Sequence, residues 1–152
     1  MEDVFFMQEA LKEAQKAFNK DEVPIGAVVV HQRKIISYGH NLVESSQDAS
    51  CHAEMAALRS AAKILGNWRL AECSLYTTLE PCSMCAGAMY LFRVQRLVWG
   101  APDLRHGAGT VFQLFSTKHP IHEMSITGGI LKEDCAKLLQ SFFQQKRRKN
   151  NG

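Results

Sequence analysis

Two short stretches constrain this chain more than anything else in it: His52-Ala53-Glu54 and Pro81-Cys82-Ser83-Met84-Cys85. Each stands at the expected start of a helix, directly after a loop or a strand, so the fold must bring two helix beginnings to one place. Cysteines at i and i+3 share a side of a first helical turn, which lets both sulfurs meet one ion. The positive end of a helix also favours thiolate, the form that binds metal. Two thiolates and one imidazole make a ligand set suited to zinc.

His52, Cys82 and Cys85 supply three ligands, and the sequence holds no second Cys-x-x-Cys and no His-x-x-x-His to close a structural shell. Three ligands and one open position is the catalytic arrangement, with a water as fourth partner whose pKa zinc lowers to roughly 7. A carboxylate beside the metal, Glu54, can take a proton from that water and return it to a leaving group. Residues two apart in mid-helix point to different sides. The pairing of His52 with Glu54 therefore works only if the helix begins here and its end faces a cavity. A structural zinc or a redox pair is the alternative, and both Glu54 and the missing fourth ligand weigh against it. The chain has five cysteines. Cys73 and Cys135 are expected to be small buried or half-buried apolar residues, while Cys51, beside His52, leaves a role at the metal open.

The chain's 152 residues suit one compact domain spanning 1–152, and an apolar content of 46% is enough for a core. Met7, Ala10, Leu11, Ala14 and Phe18 recur at helical spacing behind Asp3, which reads as a cap. Pro24 ends that pattern. The apolar run Ile25-Gly26-Ala27-Val28-Val29-Val30, a polar turn at 31–34 and Ile35-Ile36-Ser37-Tyr38 predict a hairpin. A polar loop over 44–50 precedes a helix over 52–65 that stops at Gly66. Ser74-Leu75-Tyr76-Thr77-Thr78 reads as a strand, with Pro81 opening the next helix. Arg96-Leu97-Val98-Trp99-Gly100 is a further strand, 101–110 a loop, and 124–127 a last short strand. Leu131, Cys135, Leu138, Leu139 and Phe142 form the stripe of a closing helix. Strands alternating with helices after a hairpin predict a three-layer α/β/α domain on a mixed sheet.

No charged-then-apolar leader and no apolar run of bilayer length is present in the sequence, so a cytoplasmic chain without membrane contact is expected. The net charge of +3 permits a polyanionic partner without demanding one. Lys146-Arg147-Arg148-Lys149 either complements a helix dipole in solvent or contacts phosphate. Arg93, Arg96 and Arg105 are candidates to add to one basic face.

The pattern His-x-Glu followed by Pro-Cys-x-x-Cys resembles the signature of the zinc-dependent nucleobase deaminases. Within them, the chain is similar to the bacterial enzymes that convert the wobble adenosine of a tRNA anticodon to inosine. The likeness runs through Glu22-Val23-Pro24-Ile25-Gly26-Ala27-Val28, Gly39-His40-Asn41, His52-Ala53-Glu54-Met55-Ala56-Ala57-Leu58 and the whole of residues 75–89. It implies a cytidine-deaminase-like fold with a mixed five-stranded sheet, one zinc per subunit on His52, Cys82 and Cys85, and Glu54 as proton carrier. It also implies Asn41 at a flipped base and its ribose, Val23 and Pro24 on the pocket wall, Asp103 at the substrate backbone or sugar, and Phe143 near the anticodon loop. The implied partners are a tRNA anticodon stem-loop and a second copy of the chain. Read from the residues alone, Asn41 and Asp103 could equally serve their own loops, and Phe143 could be half-buried beside Phe142. Leu104-Arg105-His106-Gly107 departs from the family pattern. Deamination of a free base or mononucleotide, guanine or cytosine or cytidine, by the same zinc chemistry is the alternative function.

Overall fold

A computed structural model describes residues 2–151. The elements follow the expected order: α1 (Glu2–Asn19), β1 (Gly26–His31), β2 (Lys34–His40), a short α2 (Val43–Ser46), α3 (Ala53–Leu65), β3 (Cys73–Leu79), α4 (Ser83–Leu91), β4 (Arg96–Ala101), β5 (Ser125–Thr127) and α5 (Lys132–Asn151). The strands form one sheet in the order β2-β1-β3-β4-β5. β1 runs antiparallel to β2 and β3, whereas β3, β4 and β5 are mutually parallel. The sheet is thus mixed and five-stranded, as expected.

Strand alternation builds the three layers. Ala27, Val29, Leu75 and Leu97 face one side and pack with Ala57, Leu58, Cys85 and Met89 of α3 and α4. Their neighbours Val28, Val30, Tyr76 and Val98 face the other side, against Phe6, Met7 and Ala10 of α1 and Cys135 of α5. Leu58, Leu75, Met89 and Leu97 have no exposed surface, so each adds roughly 1.5–3 kcal/mol of burial. Gln32 and Arg33 both take positive φ (51° and 62°), as the two-residue primed hairpin turn requires.

Two local expectations are corrected. Asp3 lies inside α1 and is not its cap. Its carboxylate instead receives both terminal nitrogens of Arg96 at 2.8 Å and the Tyr76 hydroxyl at 2.7 Å, tying α1 to the interior strands β3 and β4. A bidentate guanidinium offers more than an exposed backbone amide, so the acid turns to the sheet. Pro81 lies one residue outside α4, because Cys82 occupies the N-cap with extended backbone (φ −74°, ψ 174°). The loop expected over 44–50 contains the last turn of α2. Among the described residues, no helix is long and apolar enough to cross a membrane.

Candidate active site

The two signature stretches meet as N-termini. His52 is the N-cap of α3, extended at φ −82° and ψ 155°, and makes no capping hydrogen bond through its side chain. The ring is therefore free to leave the helix axis. Cys82 does the same at the start of α4, where Cys85 completes the first turn. Close packing puts α3 in place. A Cβ on Gly39 of β2 would sit 2.3 Å from the Ala53 carbonyl oxygen and 2.8 Å from the Ala57 nitrogen. Only glycine lets the first turn of α3 lie so near the sheet.

His52 Nδ1 is 3.5 Å from Cys82 Sγ and 3.4 Å from Cys85 Sγ. A tetrahedral zinc with Zn–S of about 2.3 Å and Zn–N of about 2.0–2.1 Å has an N···S edge of about 3.5 Å. The three donor atoms lie within 4.8 Å of one another and are the metal-competent cluster found among the described residues. Cys51 is not part of it; it is half-buried, and Cys73 and Cys135 are buried free thiols, as expected.

Electrostatics favour a cation here. The contact with Cys85, helped by His52, holds the Cys82 thiol down at about 4 against the opposing effect of burial. The same contact, then burial and the nearby Glu54, pushes Cys85 far above the usual thiol range. The two sulfurs cannot both ionise with nothing positive between them, and a divalent ion removes that conflict. His52 is raised by its contact with Cys82.

Glu54, in the first turn of α3, is 4% exposed. Burial pushes its carboxyl up to about 7, offset in part by its own backbone amide and by His52. Because α3 starts at Ala53, His52 and Glu54 avoid the mid-helix divergence and both lie at the sulfur cluster. The geometric condition set by the sequence is met.

A cavity of about 390 Å³ opens beside His52. Val23, Asn41, Asp103 and Phe143 line it. Pro24 does not; it is buried, and Ile25 takes the wall position. Asn41 donates to the Val23 carbonyl at 3.4 Å, while its side-chain oxygen is buried without a partner. Such an atom is costly unless a ligand donates to it. Asp103 lines the cavity and also serves its own loop: Oδ1 accepts the amides of Arg105 and His106 at 3.0 and 3.3 Å. Phe142 enters the core at 5% exposed, and Phe143 turns outward at 39%.

Several lining residues escaped the sequence reading, among them Val43, Leu79 and Leu139. Leu139 lies one helical turn before Phe143, and that spacing is the signal that could have found it. Two buried carboxylates were also missed. Glu22 accepts the amides of Glu44 and Ser45 and the Ser45 hydroxyl, holding α2 beside Asn41. Glu80 holds the loop after β4 in the same manner. A carboxylate between Leu79 and Pro81, in an otherwise apolar strand end, was the available clue.

The proposed basic face does not form. Arg96 is committed to Asp3, and Arg93 precedes β4 while Arg105 follows it, so the latter two sit at opposite ends of that strand. Lys146 pairs with Asp21 at 2.6 Å.

Comparison with known proteins places these features in context. The model of the cytidine and deoxycytidylate deaminase zinc-binding region matches residues 1–101. A tRNA-specific adenosine deaminase of Bacillus subtilis is 46% identical over 97% of this chain and 92% of its own. A chloroplastic tRNA(adenine(34)) deaminase of Arabidopsis thaliana is 49% identical over 93% of the chain, which spans only 12% of that longer protein. A structure from work on A-to-I editing by tRNA:A34 deaminases at the wobble position superposes with a TM-score of 0.84, at 39% identity, over 88% of this chain and 98% of the other. A guanine deaminase from Nitrosomonas europaea follows at TM-score 0.76 and 25% identity, over 90% of this chain and 82% of that one.

Proposed function

Because the chain belongs to the cytidine and deoxycytidylate deaminase zinc-binding family, we propose that it hydrolytically deaminates adenosine to inosine at the wobble position of a tRNA anticodon. The observation that carries this reading is the similarity to a tRNA-specific adenosine deaminase along almost the full length of both chains, joined to a three-ligand metal cluster whose His52 lines a base-sized cavity.

His52, Cys82 and Cys85 would hold one zinc ion, which when bound makes hydroxide available from water near neutral pH. The chain's own residues do the rest. In the net reaction the C6–N bond of the base is replaced by C6–O, and ammonia departs. Glu54 is the carboxyl suited to carry protons from water to the base and its leaving amino group, since burial brings it into the range where it both takes and gives a proton. Asn41 Oδ1 receives a donor from the base or ribose. Val23 packs beside the base, Asp103 meets the substrate backbone or sugar, and Phe143 lies near the anticodon loop. An anticodon loop offers its base already outside a duplex, which keeps the cost of extrusion low.

The proposal extends to a cytoplasmic homodimer formed by the whole chain as one domain. Phe112 and Leu114 after β4 and Leu91 of α4 are exposed apolar side chains that a second copy could cover. Sedimentation at the mass of one chain would remove the dimer from the reading and leave the chemistry intact.

The test is incubation with a tRNA carrying adenosine at the wobble position, read as A-to-G in the sequenced product. Free guanine, cytidine and adenosine are assayed beside it for ammonia. The guanine deaminase likeness supports a second reading, a free-base enzyme. Ammonia from guanine with untouched tRNA would select it.

A further inference from the structure

The loop over residues 102–110 supplies much of the cavity rim, yet neither helix nor ladder holds it. Its regular pairing is a single bridge between Cys82 and Gly107. Leu104 is 78% exposed at its tip, and Pro102, Asp103, Leu104, Arg105 and His106 all line the cavity. A segment so placed needs an anchor to present a constant wall.

Glu80 is that anchor. Its side chain is 1% exposed, and no ion pair reaches it among the described residues. Oε1 accepts the Asp103 amide at 3.0 Å and the Thr110 hydroxyl at 2.6 Å. Oε2 accepts the amides of Gly109 at 2.9 Å and Thr110 at 2.7 Å. Both ends of the loop therefore converge on one carboxylate. The fit leaves no slack: a Cβ on Gly107 would lie 2.5 Å from Oε1 and 2.6 Å from the Asp103 carbonyl oxygen. Glu80 stands two residues before Cys82, and the Pro81 carbonyl accepts the Ala108 amide at 2.9 Å. The segment that delivers a metal ligand thus also grips the rim.

We propose that Glu80 is a positioning residue for substrate recognition, fixing Asp103, Leu104, Arg105 and His106 at a set distance from the metal ligands. This rests on the tRNA reading for its substrate, though not for its geometry. The glutamine isostere discriminates well. An amide NH₂ would replace one of the two acceptor oxygens, and on either side it would face at least one backbone amide that cannot turn away, so that side of the clamp would open.

The experiment compares the zinc-loaded wild type with Glu80→Gln and Thr110→Val. It measures zinc per chain, amide hydrogen exchange, and KM and kcat on an anticodon stem-loop. In Glu80→Gln, zinc should stay at one per chain and the amides of Asp103, Gly109 and Thr110 should exchange faster. KM should rise about tenfold or more, with kcat falling less. Thr110→Val removes one donor and keeps all three amides, so KM should rise about two- to fivefold. Faster exchange at an unchanged KM would overturn the proposal, and so would loss of zinc with unchanged exchange at the loop. If Glu80→Gln fails to fold, Thr110→Val decides alone, and a wild-type KM there overturns it. A wild type inert on the stem-loop but active on a free base sinks the substrate reading separately. The clamp is then judged by the same KM comparison on that base.

Discussion

The two ends of the cavity are held in different ways. At the metal end, His52, Glu54, Cys82 and Cys85 stand on the first turns of α3 and α4, which pack against the sheet through fully buried Ala57, Leu58 and Met89. At the proposed substrate end, Asn41 and Asp103 sit on loops, each tied by a buried carboxylate, Glu22 or Glu80. Chemistry is placed on rigid elements, where a small displacement is most damaging. Recognition is placed on segments that can vary without disturbing the core. Polar clamps suit that task because they fix a loop at a few points and leave its tip exposed.

Mutations should separate the two ends, and the largest effect should come from the ligands. Cys82→Ala is expected to leave less than one tenth of the zinc bound, checked by metal analysis, with deamination lost altogether. Glu54→Ala should retain one zinc per chain while kcat falls about 10²–10⁴-fold. Near-normal turnover in that variant would remove Glu54 from the mechanism.

Gly39→Ala tests whether packing places the metal end. Its Cβ would strike the backbone of α3, so chemical denaturation should show a loss of about 1–3 kcal/mol together with weaker zinc retention. Stability lost without any change in zinc affinity would mean that the α3 contact does not set His52. At the other end, Asn41→Ala should reduce kcat/KM about tenfold at full zinc content, the size of one hydrogen bond to substrate.

The smallest effect lies outside both ends and serves as a control. The Arg96 guanidinium, with the Tyr76 hydroxyl, holds the Asp3 carboxyl below its ordinary value in spite of burial. A depressed folded value means that the stabilisation is present above the unfolded pKa of about 3.9 and is lost as pH falls through the folded one. Asp3→Asn should therefore cost about 1 kcal/mol near pH 7. That gap in Tm should narrow below about pH 4, while zinc content and KM stay at wild-type levels.

The sequence by itself determined the order of the main elements, the mixed sheet, the metal-ligand residues and the candidate carboxylate beside them. Each of these rests on a local pattern: strand alternation, helix periodicity, or a short motif at a helix start such as His-x-Glu or Cys-x-x-Cys, although the 30 positions separating His52 from Cys82 are closed only by the fold. The need for α3 to begin at His52 was legible for the same reason, since two residues apart can share a site only at a helix end. What the tertiary structure decided was where polar side chains find partners across the fold. Asp3 looked like a cap and is the counter-ion of Arg96, 93 positions away. Arg93 and Arg105, candidates for one basic face, are divided by the length of β4. Glu22 gave no signal in the sequence and Glu80 only its place between Leu79 and Pro81, because a carboxylate that gathers distant amides has no periodicity; its partners exist only once the chain has closed around it.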